Sequence, residues 1–399
     1  MKTPVYMDYH ATTPVDPSVV HAMIPFFGEK FGNAASRQHH FGWVAEEAVD
    51  SSRSLIARAL NAEAKEIVFT SGATESNNLA IKGAAEGYAY KGKHIITCAT
   101  EHKSVLDVCK NLAKRGYEIT ILSTDEYGVL NPEEFSRAIK EATILVSIMI
   151  ANNEVGTIQN VTEIGRICKD RSIVFHTDAT QAVGKIPIDV QAMNIDLLSL
   201  SGHKFYGPKG IGALFIRSKN PSVKLVQQID GGGHERGLRS GTLNVPAIVG
   251  LAKALETCVD SMEVETTRIR KLRDRLQETL LKHIDDVYLN GHPTQRLPNN
   301  LNMSFLYVED NALMLGMKDV AVSSGSACSA AEPMPSHVLK ALHIGKERES
   351  SAIRFGLGRW TTEEEVDYVA GRVIETVKRL RGLSHPARYA KTDARVDEQ

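Results

Sequence analysis

From about residue 50 to 250, short apolar runs alternate with helix-length amphipathic segments. The runs include Glu66-Ile67-Val68-Phe69-Thr70, His94-Ile95-Ile96-Thr97-Cys98, Thr143-Ile144-Leu145-Val146-Ser147-Ile148-Met149-Ile150 and Ile211-Gly212-Ala213-Leu214-Phe215-Ile216. Uninterrupted apolar strands separated by helices are what a mainly parallel sheet requires, because helices cover both of its faces. The pattern therefore predicts an α/β fold with a large, mainly parallel-sheet domain over residues 15–260. Near residue 262 the texture changes: Ile269, Leu272, Leu276 and Leu280 share one helical face of a strongly charged segment, which opens a different module. A strand is expected at Asn302-Met303-Ser304-Phe305, a small-residue loop around Cys328, a buried run at Ala352-Ile353-Arg354-Phe355, and a closing helix from about Thr361. Residues 1–14 and 261–383 are assigned to this smaller α+β domain. The polar stretch 384–399 is expected to be a disordered tail.

Composition narrows the function classes. The 399 residues carry 48 acidic and 47 basic side chains, so the basic surplus of a nucleic-acid binder is missing. No run approaches the roughly 18 apolar residues of a membrane span, and the first residues, Met1 to Asp8, hold no apolar signal core. The chain reads as a cytoplasmic protein. Its five cysteines, Cys98, Cys109, Cys168, Cys258 and Cys328, show neither CxxC pairing nor metal-ligand spacing. Four lie in apolar or helical segments, where a thiol is ordinarily a small core side chain. Only Cys328, within Ser323-Ser324-Gly325-Ser326-Ala327-Cys328-Ser329-Ala330-Ala331, has neighbours small enough to expose it.

The residues that carry chemistry gather where the apolar runs end, the place where open α/β sheets bind ligands. Lys204 closes Ser201-Gly202-His203-Lys204 after Ile195-Asp196-Leu197-Leu198-Ser199-Leu200, and Asp178 ends the stretch that begins Ile173-Val174-Phe175-His176-Thr177. An amine and a carboxylate so placed suit pyridoxal 5′-phosphate: the aldehyde bonds to a lysine, and the pyridine nitrogen needs an acid to keep it protonated. Ser71-Gly72-Ala73-Thr74-Glu75-Ser76-Asn77-Asn78 follows a strand and opens a helix, so its amides and the Thr74 hydroxyl are a phosphate cradle or a plain N-cap. The glycine-rich segment Gly231 to Thr242, with Arg236 and Arg239, favours anion binding over simple turns. His102 can stack on a cofactor ring and move protons. Gln181 can donate to a phenolic oxygen, and Asn153 can contact the ring. Arg354 sits in an apolar run, where a guanidinium needs a carboxylate. That carboxylate is either an amino-acid substrate's or one of the protein's own.

Together these segments resemble the group I cysteine desulfurases of the NifS/IscS type, from Tyr6-Met7-Asp8-Tyr9 to about Tyr368. The likeness rests on Ser71 to Asn78, Thr100 to Ser104, Asp178-Ala179-Thr180-Gln181, Ser201 to Pro208, Gly231 to Thr242, and Ser324-Gly325-Ser326-Ala327-Cys328. It implies a fold-type I pyridoxal-phosphate enzyme resembling aspartate aminotransferase, a homodimer with cofactor sites at the subunit interface. The implied cofactor residues are Ala73, Thr74, His102, Asn153, Asp178, Gln181, Ser201, His203 and Lys204, with Thr242 reaching the neighbouring subunit's phosphate. L-Cysteine would be held by Asn153 and Arg354, with Lys204, His102 and Cys328 catalytic. Cys328 would carry the sulfur as a persulfide, serving as a transient iron-sulfur ligand, to an iron-sulfur scaffold or to acceptors for tRNA thiolation. The chain departs from the family's usual residues at His10, Ala34 and Ser329, in Pro333-Met334-Pro335, and after Gly382. Rival readings are another fold-type I enzyme, such as an aminotransferase or selenocysteine lyase, and a non-catalytic sulfur-binding protein.

Overall fold

The computed structural model describes residues 3–324 and 336–384; the Cys328 loop and the polar tail lie outside the described residues. Strand β1 (Val5–Tyr6) and helix α1 (His40–Ala59) precede β2 (Ile67–Thr70), α2 (Ala73–Gly87), β3 (His94–Cys98), α3 (Lys103–Lys114) and β4 (Glu118–Leu122). There follow β5 (Thr143–Ser147), α4 (Val161–Asp170), β6 (Val174–Asp178), β7 (Leu197–Ser201) and β8 (Gly212–Ile216). Seven of these strands form one sheet in the order β2-β8-β7-β6-β5-β3-β4. The run β4-β3-β5-β6-β7 is parallel throughout, whereas β8 lies antiparallel to both β2 and β7. Every residue of β2, β3, β5, β6, β7 and β8 is buried, which explains their lack of polar alternation. Only β4, at the edge, has exposed residues, Glu118 and Ile121. Helix α3 shows how its cover is made: Val105, Val108, Cys109 and Leu112, spaced at three and four residues, are its buried face.

Helix α5 (Val245–His283) is capped by Asn244, whose side chain accepts from the Ala247 amide, and carries a proline in its first turn. Its first half, from Val245 to Cys258, packs into the core of the large sheet. Its second half places Ile269, Leu272, Leu276 and Leu280 in a separate core with Phe305, Ile353, Phe355 and Val369. The change of texture at 262 is therefore a change in which core one continuous helix faces. The second core is built around β9 (Val287–Leu289), β10 (Asn300–Phe305), β11 (Val320–Ala321), β12 (Ser323–Ser324), β13 (Ala352–Gly356) and α6 (Glu363–Ser384). Its four-stranded sheet runs β12-β13-β10-β9 and is antiparallel. The amino terminus joins this module, because β1 pairs with β11. No helix among the described residues is long and apolar enough to cross a membrane.

Candidate active site

The carboxyl ends of β2, β3, β5, β6 and β7 open on one side of the sheet, and a cavity of about 550 Å³ lies there. Its lining includes Ala73, Thr74, His102, Asn153, Asp178, Gln181, Ser201, His203, Lys204 and Arg354. Most of these residues end, or follow within a few positions, a strand that finishes at the same edge, while Arg354 reaches the cavity from within β13 of the second sheet.

The cradle is formed where β2 turns into α2. Gly72 is the residue before the helix, and no side chain caps it, so the first amides of α2 are left for a ligand. Two glycines permit this turn. Gly72 has φ +150°, and a Cβ on Gly212 of β8 would lie 2.7 Å from the Gly72 Cα. The second glycine-rich segment is tied to the same turn by Arg239, which pairs with Glu75 at 2.8 Å. Thr242, at the end of that segment, is exposed and does not line its own chain's cavity.

Asp178 and His102 are joined by a hydrogen-bond chain. Asn77 Nδ2 donates to Asp178 Oδ2 and to Ser104 Oγ, both at 2.8 Å, and the Thr180 amide donates to Asp178 Oδ1 at 2.9 Å. With its oxygen taken by Asn77, the Ser104 hydroxyl donates to His102 Nδ1 (2.8 Å), which also accepts from the Ser104 amide (3.1 Å). The neutral ring therefore carries its proton on Nε2. Burial holds His102 below the ordinary histidine range, against the opposing charge of Asp178. Burial also pushes His203 down to about 4, helped by Lys204, Lys209 and Lys185. Both rings are thus neutral near pH 7.

The Lys204 amine donates to the main-chain oxygens of His10 (2.8 Å) and Ala11 (2.7 Å), so the amino-terminal segment forms one wall. Arg354 is 3% exposed. It donates to Asp8 Oδ1 at 2.8 Å and to the Asn153 main-chain oxygen at 3.0 Å. Of the two carboxylates that the sequence left open for it, one of the protein's own is present. Its Nε is nevertheless buried without a partner among the described residues, and the side chain still lines the cavity. Patterning gave no notice of Asp8, which lies 346 positions away. Asn77 and Ser104 fall inside motifs singled out for other members, and their role as the link between Asp178 and His102 is set by tertiary structure alone. Lys185, hydrogen-bonded to Gln181 at 3.1 Å, was also missed, although its four-residue spacing from Gln181 was visible. Cys328 lies outside the described residues.

Residues 5–369 match the family described as Aminotransferase class-V. The chain is 56% identical over 384 residues to a cysteine desulfurase IscS of Anaeromyxobacter sp. (strain K), covering 96% of this chain and 95% of that one. It is 54% identical over 386 residues to a cysteine desulfurase IscS of Salmonella paratyphi B, with the same coverage. Among solved structures, a NifS-like protein superposes with TM-score 0.87 at 39% identity, covering 94% of this chain and 99% of the other. The apo cysteine desulfurase of Thermococcus onnurineus NA1 gives TM-score 0.83 at 28% identity, over 94% and 95% of the two chains.

Proposed function

Because the chain belongs to the class-V aminotransferase family, and within it to the fold-type I cysteine desulfurases, we propose that it converts L-cysteine to L-alanine and passes the sulfur onward through Cys328. One observation carries this reading: a lysine amine, a buried carboxylate and an uncapped helix start face a single cavity.

Pyridoxal 5′-phosphate is the cofactor of this family, and the residues present fit it. The uncapped α2 start and Thr74 would hold the phosphate, Asp178 the ring nitrogen and Gln181 the phenolic oxygen. The buried Thr180 hydroxyl, which lines the cavity and has no partner among the described residues, is a further polar group awaiting a ligand. When bound, the cofactor draws electrons away from the substrate's α-carbon. Lys204 takes and returns the α-proton. His102 moves a second proton through Nε2, its Nδ1 being occupied by Ser104. Arg354 orients the substrate carboxylate through its unpartnered Nε. The Cys328 thiolate attacks the substrate sulfur: an S–S bond forms, the Cβ–S bond breaks, and its electron pair leaves with the carbon, which is protonated to alanine. The persulfide then passes to an acceptor, an iron-sulfur scaffold or a carrier for tRNA thiolation.

The working unit is a homodimer in the cytoplasm. Exposed Ile24, Phe27, Phe31, Phe41 and Trp43, with Phe31 and Phe41 5.3 Å apart, supply apolar surface for a second copy. Thr242, unused within its own chain, is assigned to the partner's phosphate.

The test is to incubate the purified yellow protein with L-cysteine and a thiol reductant and to assay both products. Alanine and sulfide in equal amounts are expected. Neither product would return the site to the aminotransferase reading. Arg354→Lys is expected to raise the KM for L-cysteine about tenfold or more, since a charge-assisted hydrogen bond is worth about 1.5–3 kcal/mol. The visible spectrum should not change. An unaltered KM would leave Arg354 as an ion pair with Asp8 only.

A further inference from the structure

Gln181 is held on two sides. Lys185 Nζ lies 3.1 Å from the Gln181 side-chain oxygen and 3.1 Å from its main-chain oxygen. Gln181 Nε2 donates to the His10 main-chain oxygen at 3.0 Å. That leaves one of the two amide hydrogens for the cavity that Gln181 lines.

His10 complicates this arrangement. Its Nε2 faces the Asn299 main-chain oxygen at 3.2 Å, and its Nδ1 faces Gln181 Oε1 at 3.0 Å. Both are acceptors, yet a neutral imidazole has one N–H. Burial, with Lys185 and Arg354, keeps His10 well below the ordinary histidine range. With the proton on Nε2, where a main-chain acceptor cannot turn away, Nδ1 is an acceptor and favours the reversed amide. Reversal would set the Gln181 oxygen against the His10 oxygen and its NH2 against the Lys185 amine.

We propose that Lys185 is a positioning residue for the cofactor: by donating to both oxygens of Gln181, it keeps the amide N–H turned toward the cofactor's phenolic oxygen against the pull of the His10 ring. The inference rests on the pyridoxal-phosphate reading of the site. Burial and the charge of Lys204 bring Lys185 down to about 7, with Arg354 acting in the same direction and Cys258 against it. Glu265, on α5, shares the small cavity beside Lys185. Protonated or neutral, the amine keeps the two N–H bonds that the two oxygens need.

The experiment is a pH titration of the holoenzyme's visible band, with Lys185→Met, Gln181→Met and the double variant. Losing an N–H donor leaves the negative phenolic oxygen less stabilised, so the bound cofactor should release its proton at a pH higher by roughly one unit. Removing the Lys185 charge alone would shift the midpoint in the same direction, so the double variant decides. If Lys185 acts through Gln181, Lys185→Met adds nothing once Gln181 is methionine, and Lys185→Arg titrates like wild type. An unchanged midpoint in Lys185→Met, or an equal shift in the Gln181→Met background, overturns the proposal. Lys185→Leu keeps the comparison decisive if the methionine variant does not fold. A wild-type protein without a visible band defeats the reading of the site and this inference with it, an outcome seen before any variant is made.

Discussion

Lys204→Ala is expected to form no measurable alanine and to lose the visible absorption of lysine-bound cofactor. Two roles disappear together, the covalent tether and the proton carrier at the substrate's α-carbon. Proton transfer by a positioned side chain alone is worth about 10²–10⁴-fold. Neither Lys185 nor His203 replaces it. Lys185 points its amine at the two oxygens of Gln181, and His203 is held near pKa 4. Absorption spectra of wild type and variant, taken with added pyridoxal 5′-phosphate, provide the check. A variant with an unchanged band would show that another amine holds the cofactor.

Cys328→Ala is expected to keep the visible band and to reduce sulfide release to background. The reason lies partly in the other thiols. Cys98, Cys109, Cys168 and Cys258 are all buried. Burial pushes Cys98 up to about 11, and Cys109 and Cys258 up to about 12, while Cys168 is raised as well. None of them offers a thiolate near pH 7, and the thiolate is the nucleophile. Sulfide and alanine are to be measured beside the wild type under the same reductant. Sulfide release at the wild-type rate would remove Cys328 from the mechanism.

The uninterrupted apolar runs located the strands because a sheet covered on both faces has no polar positions to confuse the reading. They overran at the ends. Thr143 to Ile150 reads as one strand, whereas β5 ends at Ser147; the Ile148 and Ile150 amides still donate to the His176 and Asp178 oxygens of β6, and Met149 and Ile150 stay apolar because they are buried. The run at Ile211 to Ile216 located β8, but its antiparallel direction could not be recognised, since buried strands look alike in either direction. The cavity-lining residues were legible because a strand end followed by a small or polar motif is a local signal. Their supports were not. Asp8 beneath Arg354, the His10 and Ala11 oxygens beneath Lys204, and the His10–Gln181–Lys185 contacts depend on where distant segments pack.

The bond from Asp8 to Arg354 has a consequence for the chain as it leaves the ribosome. Domains emerge and fold from the amino terminus, so the oxygens that receive Lys204 exist about 190 positions before the amine does. The large sheet can be assembled while β13 is still unmade. Until Arg354 arrives, Asp8 lacks its guanidinium and one wall of the cavity is missing. In a nascent chain the uncapped start of α2 is therefore made early, and the cavity gains its Arg354 wall only once β13 has been released.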